Sequence, residues 1–171
     1  MNLKKYIFLC VVIFLSVYEA RGAAYQQEEF TAFLERFTTS AAFQYERVRF
    51  PLASSIVLLD DDGETEHAYP FTREKWALLD LEMLTPDQIE MEDGSVFVAR
   101  FLTDEPDRKE FEAGYQESEV ILRVLFDRID GAWYVTDGYF SWYGYDLPPA
   151  DLEQTIAGIG EDNEIFQEAY P

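Results

Sequence analysis

Val120-Ile-Leu-Arg-Val-Leu-Phe-Asp-Arg-Ile129, then Asp130-Gly131, then Ala132-Trp-Tyr-Val-Thr-Asp-Gly-Tyr-Phe-Ser-Trp-Tyr143, is the stretch whose reading decides the fold class. Both runs are rich in β-branched and aromatic residues, which suit a pleated, half-buried surface. The Asp-Gly dipeptide between them supplies the positive φ angles that a two-residue hairpin loop needs, so the stretch predicts two long antiparallel strands. Gly138 inside the second run predicts a bulge or bend beside Asp137, and bends let a sheet curl. Val96 to Thr103 reads as a third strand of the same kind, with Asp104 to Gly114 as a polar loop leading out of it.

Towards the N-terminus the pattern changes. Phe30, Phe33, Leu34 and Phe37 fall at i, i+3, i+4 and i+7, the spacing of an amphipathic helix. Ser40 opens a short turn or helix through Phe43 and Gln44, and Pro51 argues against any helix running through Phe50. Ser54 to Leu59 and Glu64 to Tyr69 predict a hairpin tipped by Asp60-Asp61-Asp62-Gly63. Thr72 as N-cap, with Phe71 placed to pack on Trp76 as a hydrophobic staple, predicts a further helix ending near Asp80. Beyond the long strands, Pro148-Pro149 opens a short helix carrying Leu152, Ile156 and Ile159, and the acidic residues from Glu161 read as a frayed final helix. The layout is α+β, with helices covering one face of an antiparallel sheet.

Composition narrows the function classes. The chain has 171 residues, 34 acidic against 13 basic, for a net charge of −21. Such a charge repels phosphate backbones and anionic lipid heads, which argues against nucleic-acid and membrane-surface roles. Aromatic residues make up 16% of the chain, far too many for an acidic disordered polypeptide. Lys4 and Lys5, the apolar run Tyr6 to Tyr18 and the small residues around Gly22 read as a secretory signal over 1–22. That run is too short to span a bilayer, so no stable membrane insertion is expected after its removal. Residues 23–171 then form a single α+β domain. The only cysteine, Cys10, falls in the signal, so the remainder has no disulfide, thiol nucleophile or thiolate metal site. An exported domain of this size without disulfides fits a bacterial periplasmic or extracellular setting.

Phe30-x-x-Phe33-Leu34-x-x-Phe37, then Phe43-Gln44-x-x-Arg47-Val48-x-Phe50-Pro51-Leu52, then Trp133-x-Val135 with Gly138-Tyr139-Phe140 resembles an exported bacterial family of unknown function. That family is placed with the nuclear-transport-factor-2-like cone folds. The resemblance covers most of residues 28–145, and the Phe43 to Leu52 segment is its most specific part. It implies a cone: a strongly bent antiparallel sheet packed on N-terminal helices, with a cavity at its mouth. It implies no activity, since one fold hosts many chemistries.

No metal or cofactor site stands out. His67 is the only histidine and Asp60-Asp61-Asp62 lacks the alternate spacing of a calcium loop, so both read as a solvated hairpin. Arg100 and Arg123 sit within apolar strands and need a carboxylate, the rim or a ligand; Asp137 and Glu119 are available partners. Arg47 and Arg49 share that ambiguity. In the run from Tyr139 to Tyr145, alternate side chains face opposite sides, so one set can line a cavity while the other packs inside. The leading expectation is a non-catalytic small-ligand-binding domain using Trp76, Arg100, Arg123, Trp133, Tyr139 and Trp142. The alternatives are an isomerase- or dehydratase-type enzyme with Asp137 as carboxylate base, and an envelope protein-interaction module.

Overall fold

Asp130 and Gly131 adopt positive φ angles of 52° and 84°, the conformation the two-residue turn demands. Around this turn the computed structural model describes residues 27–117, 119–144 and 146–171. The expected signal over 1–22 lies outside the described residues, as does Tyr145. Three α-helices are described: α1 (Phe30–Thr38), α2 (Ala41–Arg47) and α3 (Leu152–Ala169). A two-stranded hairpin pairs β1 (Ile56–Leu59) with β2 (Glu66–Tyr69). A five-stranded antiparallel meander follows: β3 (Asp87–Glu90), β4 (Val96–Asp104), β5 (Arg108–Tyr115), β6 (Val120–Ile129) and β7 (Ala132–Phe140), each beside its sequence neighbour.

The sheet is bent by irregularities in three of its ladders. Pairing slips between Phe101 and Thr103, between Ala113 and Gly114, and between Leu125 and Phe126. In the last case Leu125 faces Asp137 and Phe126 faces Val135, so Thr136 is the extra residue. The bend expected at Asp137-Gly138 is therefore present, one residue earlier. An extra residue raises local twist and re-aims the side chains after it.

The segment expected as a polar loop is largely strand β5. Phe111 and Ala113 point inward while Glu110 and Glu112 alternate with them, so a period-two pattern was hidden under charged residues. Val124, Phe126, Trp133 and Val135 are the buried inward residues of β6 and β7, and of these Phe126 and Trp133 meet the stripe of α1. Phe30, Phe33 and Phe37 all set their rings edge-on to Phe126, at centroid distances of 5.4, 5.9 and 6.0 Å. Such geometry adds to the area that each ring buries.

The staple helix expected from Thr72 to Asp80 does not form. A single 3-10 turn at Arg73–Lys75 is followed by extended backbone. Two buried side-chain amides supply hydrogen bonds to that extended segment. Gln44 Nε2 donates to the carbonyls of Phe37 (2.8 Å) and Leu79 (3.0 Å), while its Oε1 accepts from Trp76 Nε1 (3.0 Å) and the Leu79 amide (2.8 Å). Asn163 Oδ1 accepts from the Leu78 amide at 2.7 Å and its Nδ2 donates to the Trp76 carbonyl at 2.8 Å. Buried backbone polar groups must be paired, and here tertiary partners replace the helical ones. The Phe71 and Trp76 rings still meet, 6.3 Å apart, without the helix.

The longest helix is C-terminal rather than N-terminal. The short helix and frayed tail expected after Pro149 are one continuous α3 of 18 residues. Its inward stripe runs Leu152, Ile156, Ile159, Asn163, Phe166, with the polar Asn163 taking an apolar position. The β7 edge of the sheet is covered by the chain following α2: Val48 bridges Val135, Arg49 N–H donates to the Val135 carbonyl (2.9 Å), and Ala53 N–H to that of Thr136 (3.1 Å). At the β6–β7 turn, Glu28 clamps the start of the described chain. Its carboxylate accepts from Arg47 at 3.1 and 3.3 Å and from the Trp133 amide at 2.8 Å.

The acidic hairpin tip is held by its own hydrogen bonds. Asp62 accepts from the Thr65 hydroxyl (2.6 Å) and from the amides of Thr65 and Glu64. These bonds, the Thr65 hydroxyl foremost, hold the Asp62 carboxyl at about 2 against an ordinary 3.8. Because the folded value is the lower one, the turn is fully supported above the ordinary value and loses support as pH falls through about 2. The Thr65 amide resonance is expected to titrate with Asp62's depressed midpoint in the protein, and at the ordinary carboxylate value in an isolated hairpin peptide. Gln44→Leu leaves four buried groups without their partner; at roughly 1–3 kcal/mol each, urea unfolding should show a loss of about 4 kcal/mol or more. Ser40→Ala, which removes a long α2 cap and an exposed hydroxyl bond to the Pro171 carbonyl (3.1 Å), should cost only about 1 kcal/mol.

Candidate functional site

Side chains that point away from α1 form a row of alternating character across the sheet. Arg100 on β4 faces Glu112 on β5, Glu112 faces Arg123 on β6, and Arg123 faces Tyr139 on β7. The next row along the strands carries Glu110, Leu125 and Asp137. Beyond it Arg108 lies opposite Asp127. Strand alternation brings the β4, β5 and β6 groups to one face, and on β7 the extra residue Thr136 turns Asp137 and Tyr139 to that face, away from the side of the buried Trp133 and Val135.

That face is roofed at one end, and the result is a cavity of about 410 Å³. Its floor is Leu125 with Arg108, Glu110, Arg123, Asp137 and Tyr139 around it. Ser54 to Val57, the approach to β1 and its start, make one wall. Phe71, Phe140 and Tyr143 close the inner end, and all three are buried. Burial, together with the charge of Glu74, pushes the Tyr143 hydroxyl well above the ordinary tyrosine range. It therefore stays protonated, and it donates to the Lys75 carbonyl at 2.9 Å.

The charged groups on the floor already have partners. Asp137 accepts from the Ser54 amide (3.0 Å), the Ser54 hydroxyl (2.8 Å) and the Gly138 amide (2.9 Å), so both carboxylate oxygens are engaged. These bonds tie the approach to β1 against β7. Arg123 donates from Nε (3.0 Å) and Nη2 to Glu112, with Glu110 3.6 Å from Nε. Arg108 Nε is 3.8 Å from Asp127. Gly138 lies directly over the packing below: an added Cβ would be in ordinary contact with Leu52 (3.4 Å) and Trp76 (3.6 Å).

Of the residues singled out from sequence, Arg123, Tyr139 and the candidate base Asp137 meet at this cavity. Trp76 and Trp133 do not line it. Both are core residues, 0% and 1% exposed, with their indole N–H groups donating to Gln44 Oε1 and the Glu28 carbonyl. A β-strand rich in aromatics turned the Trp133 ring inward because its inward positions needed volume. Trp142 stacks on Phe140 at 4.6 Å, and its indole N–H has no hydrogen-bond partner among the described residues. Arg100 is separated from the others by the Glu112–Arg123 pair and lines a second, polar depression of about 520 Å³ with Tyr115 and Glu119. The expected ion partner of Arg123 was Asp137 or Glu119; the partners found are Glu112 and Glu110. Arg47 pairs with Glu28, and Arg49 lies over the Tyr134 ring, 4.1 Å from its centroid.

Arg108, Glu110, Ser54 and Phe71 were not anticipated at this cavity, whereas Tyr143 belongs to the aromatic run of which one face is expected to line it. The signal for the first two was present as alternation, with Glu110 and Glu112 out of phase with Phe111 and Ala113. His67 sits on the acidic hairpin with Nε2 2.9 Å from Asp60 Oδ2. Among the described residues no group of three or more histidine, cysteine or acidic side chains is placed to hold a metal ion.

A protein-family model described only as "-like" matches residues 28–167. Among solved structures the chain is similar to a cystatin-like protein from Bacteroides caccae ATCC 43185, at 54% identity over 85% of this chain and 97% of that one, with a TM-score of 0.82. Proteins from Bacteroides uniformis ATCC 8492 and Bacteroides ovatus ATCC 8483 are also 54% identical over 85% of this chain, covering 98% and 95% of theirs, with TM-scores of 0.80 and 0.79. No curated protein matches. Cystatin-like is a different fold label from the nuclear-transport-factor-2-like one implied by the sequence resemblance. The architecture these neighbours support is the coarser one, a mixed α+β chain with a bent antiparallel sheet and a C-terminal helix.

Proposed function

This chain belongs to the uncharacterised family whose model spans residues 28–167, and we propose that it is an exported, non-catalytic domain that binds a small ligand in the cavity beneath β1. The observation that carries the reading is the state of Asp137. A carboxylate general base must reach the proton it abstracts. Here both oxygens are engaged by Ser54 and Gly138, and the group acts as a structural tie. What remains is a concave site of about 410 Å³, within the range of small-molecule pockets, with an apolar floor and convergent polar groups.

The bent sheet with a hollow on one face agrees with a cone-like reading of the fold. Export is supported by the basic, apolar and small-residue sequence of residues 1–22. No helix among the described residues is long and apolar enough to cross a membrane. A protein-docking role for this face has less support, because its rows are paired charges rather than a continuous apolar patch.

Leu125 is half-buried at the centre of the floor, so Leu125→Trp should fold while filling the hollow. A ligand-detected NMR screen with ring-bearing fragments is expected to give hits that shift the amides of Val57, Gly138 and Tyr139. Those hits should vanish with Leu125→Trp. Hits that survive that substitution, or that map elsewhere, contradict the assignment of the site.

A further inference from the structure

We infer that the ligand of this cavity is a neutral, ring-shaped molecule carrying several hydroxyl groups, a sugar ring in its chemistry; the inference rests on the binding reading above. Its basis is the charge pattern of the lining. Arg108 and Arg123 are balanced there by Glu110 and Asp137, in a chain whose net charge is −21. An anionic ligand would approach against that field and compete with Glu112 and Glu110 for the Arg123 guanidinium. A cationic ligand would be set beside two guanidiniums, while Asp137 is already engaged with three donors. A neutral ligand separates no pair and crosses no unfavourable field.

A purely apolar ligand fits no better. It would cover Ser55, Glu110 and Arg123 without replacing the water they lose, and burying polar groups unanswered is costly. The paired groups keep hydrogen-bonding capacity. Arg123 commits Nε and Nη2 to Glu112, and its Nη1 makes no hydrogen bond among the described residues. A carboxylate accepts at about four lone-pair positions, and a guanidinium has five N–H donors in a planar fork. Adjacent hydroxyls on a ring, each both donor and acceptor, match such planar groups.

The apolar part of the lining suits the faces of the same ring. Leu125 lies at the centre of the floor, and Tyr139 presents 40% of its surface at the rim. A pyranose offers C–H groups on its faces and hydroxyls around its edge. The site has the corresponding division, with an aliphatic and aromatic patch surrounded by Ser54, Ser55, Glu110 and Arg123.

The test is an amide-detected NMR titration of the chain with five probes of one ring size. They are methyl α-glucoside, methyl α-galactoside, cyclohexanol, cyclohexanecarboxylate and cyclohexylammonium. At least one glycoside is expected to shift the amides of Leu125, Gly138 and Tyr139 saturably, about tenfold or more tighter than any cyclohexyl probe. Its Kd should change less than about twofold between roughly 50 and 500 mM salt, since no net charge is matched. Tyr139→Ala, which alters a rim residue, should weaken it by about tenfold or more with the spectrum otherwise folded. Tighter binding by a charged or apolar probe at these amides overturns this inference and leaves the binding reading standing. So does silence from both glycosides when ring-bearing fragments of other chemistry bind. Silence from the probes and from the fragment screen alike overturns both.

Discussion

The side-chain amide of Gln44 is the interaction on which the rest of this structure depends. An amide offers two N–H donors and one accepting oxygen, and here all of them are used inside the core by Phe37, Trp76 and Leu79. Gln44 is 0% exposed, so an unanswered polar atom there would carry its full desolvation cost. Fully answered, the group selects one arrangement of the three segments around it. Asn163 does the same from α3, gripping the backbone of Trp76 and Leu78. Between them the two amides hold an extended stretch of chain where local sequence favours a helix. Trp76 is thereby fixed under Gly138 and against Phe71 and Phe140, and those two rings close the cavity.

This explains which parts of the fold are legible in the sequence. The long strands β4, β6 and β7, the Asp130-Gly131 turn, the β1–β2 hairpin and the stripe of α1 are decided by local periodicity and turn chemistry. All of them are found. The Thr72 helix fails because its capping signal competes with partners more than 30 residues away, Gln44 on one side and Asn163 on the other. Strand β5 is obscured because its outward residues are charged and its inward ones few, so the segment reads as polar. The length of α3 is obscured by Asn163, a polar residue on the apolar stripe whose reason is visible only once Trp76 and Leu78 lie beside it.

The site is legible only in part. Arg123 reaches the cavity through plain strand alternation, whereas Asp137 and Tyr139 reach it because the extra residue Thr136 shifts them off the face that Trp133 and Val135 occupy. The tryptophans do not, since composition cannot tell a core aromatic from a binding one. Pairing of Arg123 with Glu112 rather than Asp137 follows from register: Glu112 lies directly across on β5, while Asp137, turned to this face by the extra residue Thr136, lies across from Leu125. The same bulge brings Asp137 to Ser54, and that contact forms the cavity wall. A single inserted residue thus takes Asp137 from the core face, which Trp133 and Val135 occupy, to the cavity wall.

Two side-chain amides, not a helix, hold the segment beneath the cavity. Amide hydrogen exchange of Leu78 and Leu79 tests it most directly, because their N–H groups bond to Asn163 Oδ1 and Gln44 Oε1 rather than to a neighbouring turn or strand. Both are expected to exchange only through global unfolding, as slowly as the amides of β6. Exchange of either amide on the timescale of an open loop, with the sheet still protected, would contradict it.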